Sequence, residues 1–123
     1  VLCDKTLAEQ AALQCGAADE IEVVTVCVAV VGGPSSTPAF PLSTSLILTP
    51  ITGNRELCES MKELQSLLGS FPMVHVEDVC NTHIFLMQHP CAVGRYLCCS
   101  DAPTIADMAD FFRKHHQPVH IAF

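Results

Sequence analysis

Ile21 to Val31 reads Ile-Glu-Val-Val-Thr-Val-Cys-Val-Ala-Val-Val, and no charge follows until Arg55. A nearly continuous β-branched run of this length is what a parallel strand buried on both faces looks like. Gly32-Gly33-Pro34 ends it sharply. The uncharged stretch is also long enough to raise the question of a membrane span, which needs ~20 consecutive apolar residues. Gly32, Gly33, Pro34, Ser35, Ser36, Thr37, Pro38 and Pro41 interrupt it, so a buried strand is the reading and a span is not expected.

The rest of the chain alternates helix and strand patterns around that run. Leu7, Ala8, Ala11, Ala12 and Cys15 form a stripe at helical spacing over Asp4 to Gly16. Pro34 to Asn54 reads as a long irregular connection with one short apolar helix, Leu42 to Leu48. Leu57, Met61, Leu64, Leu67 and Leu68 predict a second amphipathic helix stopped by Gly69. Phe71 to Val76 suits a short strand, held to an edge or a strand start by Pro72. Glu77-Asp78 open a third helix with its stripe at Val79, Cys80, His83, Ile84 and Met87, which places Cys80 toward a core. Gly94 to Cys99 is a further strand. Thr104-Ile105-Ala106-Asp107 has capping-box character, with Ile105, Met108, Ala109 and Phe112 behind it. Pro118 breaks that helix, and Val119 to Phe123 suits a last strand. Helices alternating with strands predict an α/β fold with a parallel sheet.

The 123 residues allow one domain. Apolar residues make up 50% and charged residues only 15%, with a mean hydropathy of +0.37. Soluble domains carry roughly 25% charged residues. So little charge predicts a face buried against a partner, or a piece of a larger chain. Thirteen acids against six bases give a net charge of −7, which argues against nucleic acid and anionic membrane surfaces. The start, Val1-Leu2-Cys3-Asp4-Lys5, is neither basic nor a long apolar stretch, so no signal peptide is expected, and the absent Met suggests a trimmed or partial chain.

The eight cysteines sit mostly in apolar patterns without Cys-x-x-Cys spacing. They read as free thiols of a reducing, cytoplasmic compartment. Neither Gly-x-Gly-x-x-Gly nor a Walker loop is present in these residues. Cys80-x-x-His83 and the His115, His116, His120 group are metal ligands on paper. A core stripe and a solvated helix end explain them better, and no metal is expected. Glu77 and Asp78 suit helix starters better than an acid–base pair. Lys5, by pattern alone, is a surface lysine.

Several motifs nevertheless resemble one family. Lys5-Thr6-Leu7-Ala8-Glu9, the valine run to Gly33-Pro34 and Ile51-Thr52-Gly53-Asn54 are similar to the plant dihydroflavonol and anthocyanidin reductase group of extended short-chain dehydrogenase/reductases. Val74-His75-Val76-Glu77-Asp78-Val79-Cys80, His83-Ile84-Phe85 and Gly94 to Cys99 add to the resemblance. The resemblance implies the C-terminal part of a Rossmann-type sheet with a small substrate-side subdomain, 1–123 forming one partial domain. It implies NADPH-dependent reduction of a flavonoid or similar phenolic. Lys5 matches the family lysine that holds the nicotinamide ribose and lowers the pKa of a tyrosine four residues earlier. Val28 stands where the family has a proline beside the nicotinamide, and Val28 and Ala29 are the further cofactor-binding candidates.

Four departures accompany the match: Val1 stands at the tyrosine position, Asp4 replaces the usual serine, Val28 the proline, and Asn81 the usual arginine. The glycine-rich half would precede Val1, and the family continues past Phe123. The expected product is therefore a flavonoid reductase fragment, inactive alone. The rival is a non-catalytic interaction fragment that pairs with another chain through an open sheet edge.

Overall fold

The computed structural model describes residues 2–18 and 21–115. The expected last strand, Val119 to Phe123, and the residues His116 and His120 lie outside them. Six helices and four strands follow in the order α1 (Leu2–Ala18), β1 (Val24–Val28), β2 (Val30–Gly32), α2 (Leu42–Ile47), α3 (Thr49–Thr52), α4 (Arg55–Leu68), β3 (Met73–His75), α5 (Val76–Gln88), β4 (Gly94–Cys98) and α6 (Ile105–His115) among the described residues.

Local chemistry sets several of these boundaries. The Asn54 side chain accepts from the Leu57 N–H at 3.2 Å and caps α4. Gly69 ends the same helix at φ 79°, a left-handed conformation that glycine adopts without strain. The Thr104–Asp107 box is reciprocal: Asp107 Oδ2 accepts from the Thr104 N–H and hydroxyl, and Thr104 Oγ1 accepts from the Asp107 N–H.

The valine run does not form one strand. It breaks at Ala29, because its two halves pair with different partners. β1 runs parallel to β4, from Val24 opposite Gly94 to Val28 opposite Cys98. β2 runs parallel to β3, from Val30 opposite Met73 to Gly32 opposite His75. The change of partner leaves Ala29 between the two ladders, its N–H donating to Cys98 O while Val30 donates to Pro72 O. Among the described residues β1 has no second strand neighbour.

The strand was expected to be buried on both faces, and it is not. Val24 to Cys27 are half-buried and Val28 is 39% exposed. The missing cover follows from the single-sided pairing. Side chains alternate across a strand. Thr25, Cys27, Arg95 and Leu97 therefore face one side, and Val24, Val26, Val28, Tyr96 and Cys98 face the other. α1 lies on the first side, where Glu9 meets Thr25 and Arg95. α5 lies on the second, where Thr82 Oγ1 is 3.4 Å from Cys98 Sγ. Helices on both faces of parallel strands are the expected α/β arrangement.

The hydrophobic core sits elsewhere, between α4, α6 and the segment leading to β3. Met61 and Phe71 are fully buried, with Ile105 and Met108 against them. Leu46 and Ile47 of α2, Val30 of β2 and Met73 of β3 complete it. The long connection is thus less irregular than its composition suggests. It carries two short helices, and Thr49 and Pro50 are wholly buried.

Two helical stripes differ from expectation. On α1, Leu7 is 57% exposed, and Ala8, Ala11, Ala12 and Cys15 are exposed too. Glu9 and Gly16 face the sheet instead. On α5, Cys80, His83, Ile84 and Met87 are exposed, while Val79, Thr82 and Leu86 turn inward. Cys80 therefore does not face a core. On α5 the sheet covers a second apolar side, whereas on α1 it meets Glu9 and Gly16 and leaves the apolar residues exposed.

Candidate active site

In α/β sheets, ligands bind beyond the carboxyl ends of the parallel strands. Here that edge carries Val28, Ala29, Gly32, Gly33 and His75. Gly33 has φ +125°, and a Cβ there would fall 2.8 Å from His75 Nε2. Glycine is required by both the conformation and the close approach. His75 in turn caps α5, its Nδ1 accepting from the Glu77 N–H at 3.3 Å. A pocket of about 260 Å³ opens beside them, reaching Ile47, Met73, Ser100 and Asp101.

Lys5 is exposed in the first turns of α1. Its position relative to the sheet follows from two contacts. Gly16 sits against Val23, and Glu9 accepts a hydrogen bond from Thr25 at 2.7 Å. Helix numbers fall as strand numbers rise, so α1 runs antiparallel to β1. Lys5 lies about one helical turn, ~5.4 Å, beyond Glu9 toward the strand's carboxyl end. Residues four apart share a helix face. Lys5 is therefore on the sheet-facing side of α1, at the level of Cys27 and Val28. By this geometry Lys5 lies toward the end of β1 that carries Val28, whose side chain faces α5 on the opposite side of the sheet, with Ala29 next along the chain.

What fixes this helix is polar. Arg95 Nε donates to Glu9 Oε1 at 2.9 Å and Arg95 Nη2 donates to Oε2, a two-pronged pair linking α1 to β4 across β1. Glu9 is only 17% exposed. The Arg95 hydrogen bonds, followed by the Thr25 hydroxyl, hold the Glu9 carboxyl below the usual carboxylate range. The same pair raises the already high Arg95 value.

Sequence pattern missed this clasp, because its halves stand far apart in the chain.

A pH dependence follows. A carboxyl with a lowered folded pKa stabilises the fold above its ordinary pKa of ~4.3, and that stability is lost as pH falls through the lower folded value. Asp107, lowered by its Thr104 hydrogen bonds, adds to the same acid window. Glu9→Gln should lower the melting temperature at pH 6 and flatten its fall toward pH 3. A wild-type and variant difference that stays constant with pH would contradict the clasp.

The remaining candidates stay apart. His83 Nδ1 lies 2.8 Å from Val79 O within its own helix. Asp78 accepts from the Ser100 hydroxyl at 3.1 Å. No group of three or more His, Cys, Asp or Glu side chains among the described residues is arranged to hold a metal ion. Seven cysteines (Cys15, Cys27, Cys58, Cys80, Cys91, Cys98 and Cys99) are free thiols. No helix among the described residues is long and apolar enough to cross a membrane.

Parallel strands with helices on both faces define an α/β, Rossmann-type unit. Comparison with known proteins agrees. The chain is 40% identical over 112 residues to an anthocyanidin reductase ((2S)-flavan-3-ol-forming) of Vitis vinifera, covering 91% of this chain and 33% of that protein. It is 36% identical over 112 residues to a dihydroflavonol 4-reductase of Zea mays, covering 91% of this chain and 29% of the other. The crystal structure of vestitone reductase from alfalfa superposes with a TM-score of 0.79 at 31% identity, over 95% of this chain and 35% of that one. No family model matches the sequence. The chain resembles one portion of the flavonoid reductases and spans about a third of the length of the curated relatives it matches.

Proposed function

We propose that these residues form the lysine-bearing, C-terminal portion of an NADPH-dependent reductase acting on a flavonoid such as an anthocyanidin or dihydroflavonol. The observation that carries this reading is Lys5, on the sheet-facing side of α1 at the carboxyl ends of the parallel strands. In this reading Lys5 holds the nicotinamide ribose, and Val28 and Ala29 lie against the nicotinamide. NADPH, when bound, supplies the hydride. The residues present fit only that end of the cofactor, because no glycine-rich turn for the pyrophosphate occurs among them. The free cysteines support a reducing, cytoplasmic setting.

Proton donation needs an acid held within hydrogen-bond reach. Val1 cannot supply one at the position the family gives to tyrosine. The 123-residue chain should therefore show no flavonoid-dependent NADPH oxidation. Residues 2–123 joined between the matching N-terminal and C-terminal portions of the Vitis vinifera enzyme, which then supplies the residue before Leu2, should turn over. Activity in the chain alone, or none in a folded joined protein, would contradict the proposal.

A further inference from the structure

We infer that the chain carries a second small-molecule site, a cleft beside α6 that takes a ligand with a flat, hydroxylated aromatic ring and no negative charge. The cleft encloses about 430 Å³, within the range of ~300–1,000 Å³ that holds drug-sized ligands. Ile47, Met73, Pro103, Met108, Phe111 and Phe112 line it. None of Lys5, Val28 or Ala29 does. It adjoins the strand-end pocket and shares Ile47, Met73 and Asp101 with it.

The walls select for shape. Phe112 is buried and is part of the stripe that seats α6 on the core. Phe111 is 55% exposed and is not part of that stripe. The two rings meet edge to face, with centroids 5.8 Å apart and planes at 76°. Phe111 also packs against the His115 ring, with centroids 4.5 Å apart, so a flat ring entering the cleft meets Phe112 and the side of Phe111 that His115 does not cover. Met73 and Met108 are unbranched and adapt to an irregular outline.

The polar groups select for charge. Among the described residues, Asp101 and Asp107 are the only charged residues lining the cleft, and the His115 ring lies against Phe111. Asp101 Oδ1 accepts from the Ala102 N–H. Asp107 uses Oδ2 for the Thr104 cap. Each carboxylate has a second oxygen that takes part in neither bond. Ionised carboxylates only accept hydrogen bonds, so the ligand must bring donors such as phenolic hydroxyls. A sulfate, phosphate or carboxylate on the ligand would meet like charge. The Thr104 bonds keep Asp107 ionised well into acid.

Choosing a flavan as the occupant rests on the flavonoid reading above. The test separates the two, because it uses this chain alone and reads binding rather than turnover. The chain is tethered sparsely to a sensor surface, so that copies do not meet, and (+)-catechin and a catechin sulfate ester are flowed over it. Catechin should bind saturably at one site per chain, and the sulfate ester at least tenfold more weakly. Phe111→Ala should weaken catechin binding at least tenfold. Leu97→Ala, on exposed β4, should leave it unchanged. Asp101→Asn should narrow the preference for catechin over its sulfate ester, and this arm decides if Phe111→Ala does not fold. Absent saturation, equal binding of the sulfate ester, or full affinity in folded Phe111→Ala would each overturn the site. Loss of turnover in the joined protein with catechin binding intact would overturn only the reductase reading.

Discussion

Purified alone, the chain should self-associate at micromolar concentration. The cause is the free edge of β1. Ala29 donates to Cys98, so the odd-numbered amides of this strand point toward β4. By alternation the Val24, Val26 and Val28 amides point away from it, and no described strand receives them. The edge is β-branched and half-buried, and no charge stands between Val23 and Asn54. Natural edges are blunted by charge, proline or a covering element. The proline- and serine-rich connection is the one local candidate for cover. Its first part, residues 34–41, is exposed, and α2 packs on β2 instead.

Sedimentation velocity over a concentration series should show mass rising with concentration. Hydrogen exchange at the Val24, Val26 and Val28 amides should slow as assembly proceeds. The N-terminal half of a flavonoid reductase, the part that precedes the matched residues, should suppress assembly by pairing with the same edge. A monodisperse monomer with one sharp thermal transition would show that the edge is covered, and that the low charge content has another cause.

Local chemistry made much of the fold legible. Gly69 stopped its helix, and Thr104 and Asp107 capped theirs, because these signals act within a few residues. The burial pattern was less legible. The valine run gave no sign of the break at Ala29, which exists because two partners from different parts of the chain pair with its two halves. On α1 and α5 the apolar stripes were real, yet the described sheet covers other faces of both helices. The Glu9–Arg95 clasp was invisible for a related reason. A glutamate in an alanine-rich helix reads as solvent-facing, and its partner stands 86 residues away. Of the candidate site, Lys5 was found through motif resemblance. Its place at the strand ends came from the antiparallel packing of α1.

The largest effect expected of any single substitution is Lys5→Ala in residues 2–123 joined between the Vitis vinifera portions. Lys5 contributes twice in this account: it holds the ribose, and its charge lowers the pKa of the neighbouring acid. Positioned acid–base groups contribute roughly 10²- to 10⁴-fold in rate. Losing the ribose contact should also raise KM for NADPH, which separates Lys5 from a residue that only supports the helix. Glu9→Gln, by comparison, should lower thermal stability and leave the chemistry of Lys5 in place.

The most direct test is therefore kcat/KM for NADPH in the joined protein with and without Lys5. The account predicts a fall of at least about 100-fold in Lys5→Ala, with the melting temperature unchanged. A folded Lys5→Ala protein that retains kcat/KM within about threefold would contradict it.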